Sequence, residues 1–190
     1  MAIEIKNISK SFGSKVVLAD FSLVLEQGIT CIMGASGKGK TTLINILARL
    51  VSADSGEIVM PAGAKISFVF QEDRLLQWDT AIQNVLFPMK RPKDFIKNAT
   101  ELLIQSGLEE AINKKADELS GGMKRRVAIC RALIAEHDVL IMDEPFKGLD
   151  DELKPRIMDM IKNHSVDKIV LCITHDKTEA SYLGGKLVQM

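Results

Sequence analysis

An α/β fold, a mostly parallel sheet flanked by helices, follows from three stretches of this chain. The first is Gly34-Ala35-Ser36-Gly37-Lys38-Gly39-Lys40-Thr41-Thr42, which fits G-x-x-x-x-G-K-S/T. Before it, Ile29-Thr30-Cys31-Ile32-Met33 reads as a buried strand, and after it Leu43, Ile46, Leu47 and Leu50 recur at helical spacing. The second and third are the apolar runs Val139-Leu140-Ile141-Met142 and Ile169-Val170-Leu171-Cys172-Ile173-Thr174. Each has the length of a buried strand and ends in polar residues.

The glycine loop has a chemical reading residue by residue. Glycines tolerate φ > 0 and carry no Cβ, so the backbone folds tightly and turns its N–H groups inward. Lys40 adds a point charge for the β- and γ-phosphates of a nucleotide, and the Thr41 hydroxyl is a ligand for Mg²⁺. A strand that feeds a helix N-terminus through such a loop is a preformed anion site.

Composition narrows the class. The 190 residues suit one domain with a sizeable core, and 46% hydrophobic residues fit a globular chain. Lys plus Arg equals Asp plus Glu at 25 each, which gives no reason to expect a nucleic-acid partner. No apolar run approaches the ~20 residues of a membrane span, and the N-terminus lacks an apolar signal core. Cys31, Cys130 and Cys172 lie far apart in apolar segments, so they read as buried thiols in a reducing cytosol rather than a disulfide or zinc framework.

In chain order, residues 1–33 read as strands, with Ile3 and Ile5, then Phe21, Leu23 and Leu25, on alternating positions. Phe12, in the turn between them, is either a base-stacking aromatic or a core residue. Asp54-Ser55-Gly56-Glu57 reads as a turn, and Ile58 and Met60 begin a strand that Pro61 ends. Ile66 to Phe70 is another strand with Gln71 at its C-terminal end, where open α/β sheets face their ligand. A glutamine there reaches Mg²⁺, water or phosphate, or is simply a surface residue. Residues 72–118 mix charged and apolar positions. Phe95, Ala99, Leu102 and Leu103 form a helical stripe that Gly107 ends, so the stretch reads as a helical insert.

Leu119-Ser120-Gly121-Gly122-Met123 opens a further helix, with Ser120 as N-cap and Met123, Val127, Cys130 and Ile134 on one face. Two glycines at a helix start leave N–H groups open to an anion. Lys124, Arg125 and Arg126 make the region basic, which in isolation is an ordinary solvated face. The strand Val139 to Met142 ends in Asp143 and Glu144. Asp143 suits an Mg²⁺ site, and Glu144 suits polarising an attacking water. Gly148-Leu149-Asp150 is a turn. His175 follows the last apolar run, at a place from which it could reach a γ-phosphate.

These motifs, in this order, resemble an ATP-binding-cassette (ABC) ATPase over essentially the whole chain. Gly34 to Thr42 resembles that family's Walker A and Val139 to Glu144 its Walker B. Gln71 falls at the Q-loop, Leu119 to Met123 at the LSGGQ signature, Gly148-Leu149-Asp150 at the D-loop, His175 at the switch histidine and Phe12 at the adenine-stacking aromatic. The signature discriminates, because Walker A alone marks any P-loop protein. The run Phe70 to Trp78 resembles the Q-loop region of importers of the nitrate, sulfonate and taurine type, and Asp143 to Asp150 their DEPFGALD run. Met123 stands where the signature has Gln, Gln77 where Pro is frequent, and the chain reaches Met190 soon after His175.

The resemblance implies a single domain over residues 1–190. It would have a P-loop NTPase core, an N-terminal antiparallel β part, a helical insert at about 72–124, and C-terminal helices short or absent. It implies an Mg²⁺-dependent ATPase binding ATP through Phe12, Gly34 to Thr42 and, from a second ATPase subunit, Ser120, Gly121, Gly122 and Met123. Lys40, Gln71, Glu144 and His175 are the expected catalytic residues, and Thr41, Gln71 and Asp143 the metal ligands. The implied partners are that second subunit, integral-membrane permease subunits and an external solute-binding protein, with the chain peripheral on the inner face of the cell membrane. A family ATPase acting on a non-transport partner is the alternative.

Overall fold

Alternating apolar positions build the first sheet. The computed structural model describes residues 1–35 and 37–190. Ala2–Phe12 (β1) and Lys15–Glu26 (β2) form an antiparallel hairpin, with Ile3 opposite Leu25 and Ile5 opposite Leu23. After Gly28–Met33 (β3) and Lys40–Leu47 (α1), Ser55–Val59 (β4) returns to the other side of β1, giving the order β2-β1-β4. The segment expected as a turn at residues 54–57 is therefore mostly strand. Gly56 allows it: at φ 88° it passes so close to β1 that an added Cβ would lie 2.4 Å from the Lys6 and Asn7 carbonyl oxygens. Leu50 also departs from expectation. The helix ends at Leu47, Arg49 turns the chain at φ 57°, and Leu50 is 55% exposed, while Leu43, Ile46 and Leu47 are buried as their spacing predicts.

The second sheet is parallel. Ile66–Val69 (β5) precedes the helical insert: Ala81–Leu86 (α2), Ile96–Gln105 (α3), and single 3₁₀ turns at Pro92–Phe95, Glu109–Ala111 and Ala116–Glu118. Gly107, at φ 70°, ends α3 as expected, with the Leu108 N–H donating to Leu103 O at 2.9 Å. Gly121–Ile134 (α4) leads back to Val139–Asp143 (β6), Lys154–His164 (α5), Ile169–Ile173 (β7), Lys177–Leu183 (α6) and Lys186–Gln189 (β8). The strand order is β5-β6-β7-β3-β8. Every residue of β6 and β7 is buried, because both faces of the sheet's centre are covered, one by helices and the other by α1 and the β1–β2 hairpin. Short β8, an edge strand with exposed positions, carries no such apolar run, and neither it nor α6 is legible as a periodic pattern.

Two apolar clusters flank the parallel sheet. Ile32, Ile141 and Leu171 face α1 and the β1–β2 hairpin, while Leu140, Met142, Val170 and Cys172 face the insert, α4 and α5. All three cysteines are buried and free. Burial pushes the Cys130 thiol up to about 12. The register puts the C-terminal ends of four strands side by side: Val69 opposite Met142, Asp143 opposite Ile173, and Ile32 opposite Ile173. Asp143 is the last residue of β6, and Gln71, Glu144, His175 and the glycine loop follow the ends of β5, β6, β7 and β3. Among the described residues no helix is long and apolar enough to cross a membrane.

Candidate active site

The glycine loop between β3 and α1 is an uncapped helix start. Gly39, at the N-cap of α1, has φ 90°, and no side chain among the described residues accepts a hydrogen bond there. Its backbone is pressed against β2, where an added Cβ would lie 2.7 Å from Val17 O, so only glycine fits. The N–H groups of the first turn are left to an external anion. Lys40 is buried, and its ammonium donates to Gly34 O and Ala35 O, each at 2.8 Å. These two bonds pin the cation over the loop and leave a third donor for a ligand.

Asp143 ends β6 inside the protein at 2% exposure. Burial pushes its carboxyl above the usual carboxylate range, while the Thr41 hydroxyl, hydrogen-bonded to it, pulls it back. The charge of Glu144 adds to the rise, and that of Lys40 opposes it. Glu144 follows at φ 47°, an uncommon conformation for a residue with a side chain. Its N–H donates to Ile173 O at 2.9 Å, which holds the turned backbone against β7. The Glu144 carboxylate then meets His175, whose Nδ1 lies 3.3 Å from Oε1, and Lys147, whose Nζ lies 3.9 Å from Oε2.

These groups surround one cavity of about 700 Å³, a size that suits a nucleotide. Gly34, Ala35, Gly37, Gly39, Lys40, Thr41 and Thr42 of the loop and helix start line it, together with Gln71, Asp143, Glu144, His175 and Phe12. Phe12 is 52% exposed, so the aromatic left open between core and stacking is not core. Lys38 is exposed and lies off the wall, and Ser36 falls outside the described residues. Lys147, Lys15 and Val17 also line the cavity, with roles the sequence did not suggest. The spacing of Lys147 from Glu144, one helical turn, was the available signal.

Ser120, Gly121, Gly122 and Met123 do not reach this cavity. Ser120 caps α4 as expected, accepting from the Met123 N–H at 3.3 Å, and its side chain is exposed. Gly121 and Gly122 line a separate surface cleft with Gln71, Lys147 and Gly148. Gly122 must be glycine, since an added Cβ would lie 2.9 Å from Gly148 O. The basic run behind them is not a solvated face: Arg125 is 6% and Arg126 8% exposed. Both point inward to backbone carbonyls; Arg126 donates to Ser106 O at 2.8 Å and Gly107 O at 2.9 Å and so caps α3.

The donor set can be tested against a metal. Among the described residues no group of three His, Cys, Asp or Glu side chains converges. One carboxylate (Asp143), one hydroxyl (Thr41) and an amide (Gln71) share the cavity. That is a hard-oxygen set, too small to cage a cation alone but suited to Mg²⁺ that shares its shell with phosphate oxygens.

Known proteins resemble this chain in sequence and in fold. The family model described as ABC transporter matches residues 18–147. The aliphatic sulfonates import ATP-binding protein SsuB 1 of Shouchella clausii is 36% identical over 190 residues, covering 98% of this chain and 76% of that protein. The bicarbonate transport ATP-binding protein CmpD of Synechocystis sp. is 35% identical, covering 99% of this chain and 73% of that protein. A solved dimeric ATP-binding cassette in a post-hydrolysis state, bound to ADP and Pi, superposes with a TM-score of 0.89 at 29% identity, covering 99% of this chain and 94% of that one. Sequence match, fold and cavity agree, and the chain belongs to the ABC transporter family as one of its ATP-binding, ATP-hydrolysing cassettes.

Proposed function

We propose that this chain is the motor subunit of an importer, closing on ATP with a second subunit and opening after hydrolysis while seated on integral-membrane permease subunits at the inner face of the membrane. The observation that carries the reading is the single cavity in which Lys40, Thr41, Gln71, Asp143, Glu144 and His175 meet. The loop N–H groups and Lys40 hold the β- and γ-phosphates. Thr41 and Asp143, with Gln71, would hold Mg²⁺, which when bound would supply positive charge beside the phosphate oxygens. Glu144 orients and polarises the attacking water, and His175 beside it stabilises that arrangement. Phe12 stacks on the base. In the closed dimer Ser120, Gly121, Gly122 and Met123 of one subunit complete the phosphate site of the other. The relatives named for sulfonates import and for bicarbonate transport support a transport role on a small anionic solute, which an external solute-binding protein would deliver.

ATP hydrolysis by purified variants tests the site. Glu144→Gln should retain nucleotide binding and lose about 10²–10³ in turnover, the usual cost of one preorganised group. Lys40→Ala should weaken binding and turnover together. Wild-type turnover in Glu144→Gln would remove Glu144 from the mechanism.

A further inference from the structure

The segment from Phe70 to Arg74 has no regular secondary structure, yet its backbone is firmly held. Arg125 of α4 donates from Nη1 to Phe70 O at 2.6 Å and from Nη2 to Gln71 O. Arg131, six residues on, donates from Nη1 to Arg74 O and from Nη2 to Asp73 O, both at 2.7 Å. Two guanidinium forks from one helix thus hold the carbonyls of residues 70, 71, 73 and 74. Arg125 Nε also faces Asp73 Oδ1 at 3.1 Å, out of line for a hydrogen bond. On the other side of the segment, the Arg74 guanidinium lies 3.9 Å from the centre of the Phe70 ring, and Phe70 stacks on Phe68.

We infer that Arg125 is a positioning residue for Gln71, and that Arg125 and Arg131 together make the Gln71 segment and the Ser120 helix one moving body. Four charge-assisted bonds to one short stretch of backbone are stiff, and a planar fork fixes direction as well as distance. Ser120 caps the same helix, about 7.5 Å along its axis from Arg125 at 1.5 Å per residue. A displacement imposed at Ser120 is then delivered to Gln71 without slack, as a rigid-body shift. In the closed dimer, contact of Ser120 with the partner's nucleotide would set the place of Gln71 in its own cavity. The inference rests on the role given above to Gln71.

A double-mutant cycle on ATP turnover tests it. Gln71→Ala, Arg125→Met, Arg125→Lys and the two double variants are compared with the wild type for kcat, KM and nucleotide affinity. Arg125→Met should lower kcat by up to about 10²-fold, the scale of an ångström-level misplacement. KM and nucleotide affinity should stay within about threefold, since the loop and Lys40 are untouched. Arg125→Lys should recover part of the loss, because an ammonium keeps the charge but not the fork. In the Gln71→Ala background neither Arg125 substitution should lower kcat further, because the two residues act as one unit. If the losses multiply instead, Arg125 supports only the fold and the inference is overturned. If Gln71→Ala alone leaves kcat unchanged, the role of Gln71 falls and the inference falls with it, a result distinct from multiplied losses. Should Arg125→Met not fold, the cycle with Arg125→Lys separates the same outcomes.

Discussion

At the scale of single residues, the buried polar groups outside the cavity are informative too. His137 is 5% exposed, its Nδ1 donates to Ala135 O at 2.7 Å, and its Nε2 has no partner among the described residues. Burial holds its pKa below the ordinary value; the Ala135 bond opposes this, Lys168 and His164 reinforce it, and Asp138 opposes it. As pH falls through about 6.5, the unfolded chain takes up a proton that the native ring refuses. Native stability is therefore lost on acidification, from that value down to the depressed native pKa. Urea midpoints measured at about pH 7 and about pH 5 should fall less in His137→Phe than in the wild type. Equal falls would place the acid sensitivity on other groups.

At the scale of elements, α1 and the insert make separate predictions. Leu43 of α1 is fully buried between the β1–β2 hairpin and the parallel sheet. Leu43→Ala should cost about 2–5 kcal/mol in chemical denaturation, since the cavity left there is walled by strands that cannot collapse into it. A loss under about 1 kcal/mol would mean that the two sheets close up around the gap. The insert shows the opposite situation. Trp78 is 81% and Phe87 65% exposed, while Leu75 packs against the core. Trp is enriched among interface anchors, and this face begins a few residues from Gln71. Trp78→Ala should leave folding and basal ATP turnover intact and reduce permease binding and transport-stimulated turnover. Unfolding of the variant would make the side chain part of the core. Normal permease binding and transport would put the coupling surface elsewhere.

At the scale of the whole molecule, Gly121 and Gly122 at the start of α4 do not line the cavity that holds Lys40, although Gln71 and Lys147 border both clefts. In the proposed head-to-tail dimer, the α4 start of one chain would face the cavity of the other. Light scattering of Glu144→Gln should show a dimer that needs ATP, and Ser120→Arg in that background should abolish it by crowding a cation's long side chain into the interface. A monomer at saturating ATP, in the presence of the partner subunit as well, would remove the shared site. In the proposed cycle ATP prefers the closed state, and the size of this shift would measure that preference.

The local chemistry of the site was legible in the linear chain. A glycine loop between a buried strand and a helix, an apolar strand ending in Asp143-Glu144, and a capped Gly-Gly helix start each follow from near-neighbour rules of sterics and periodicity. So did the central strands, because full burial on both faces demands unbroken apolar runs. What tertiary structure alone decided are the relations between segments distant in sequence. Residues 55–57 became strand because β1 offered an unpaired edge and Gly56 could approach it. Phe12 was placed on the cavity wall, and Lys147 was turned toward Glu144 by the positive φ at the end of β6. Arg125 and Arg126 went inside because carbonyls 19 to 55 residues away face α4. Charge alone predicts a solvated arginine; only the position of its acceptors shows that it is a buried clamp.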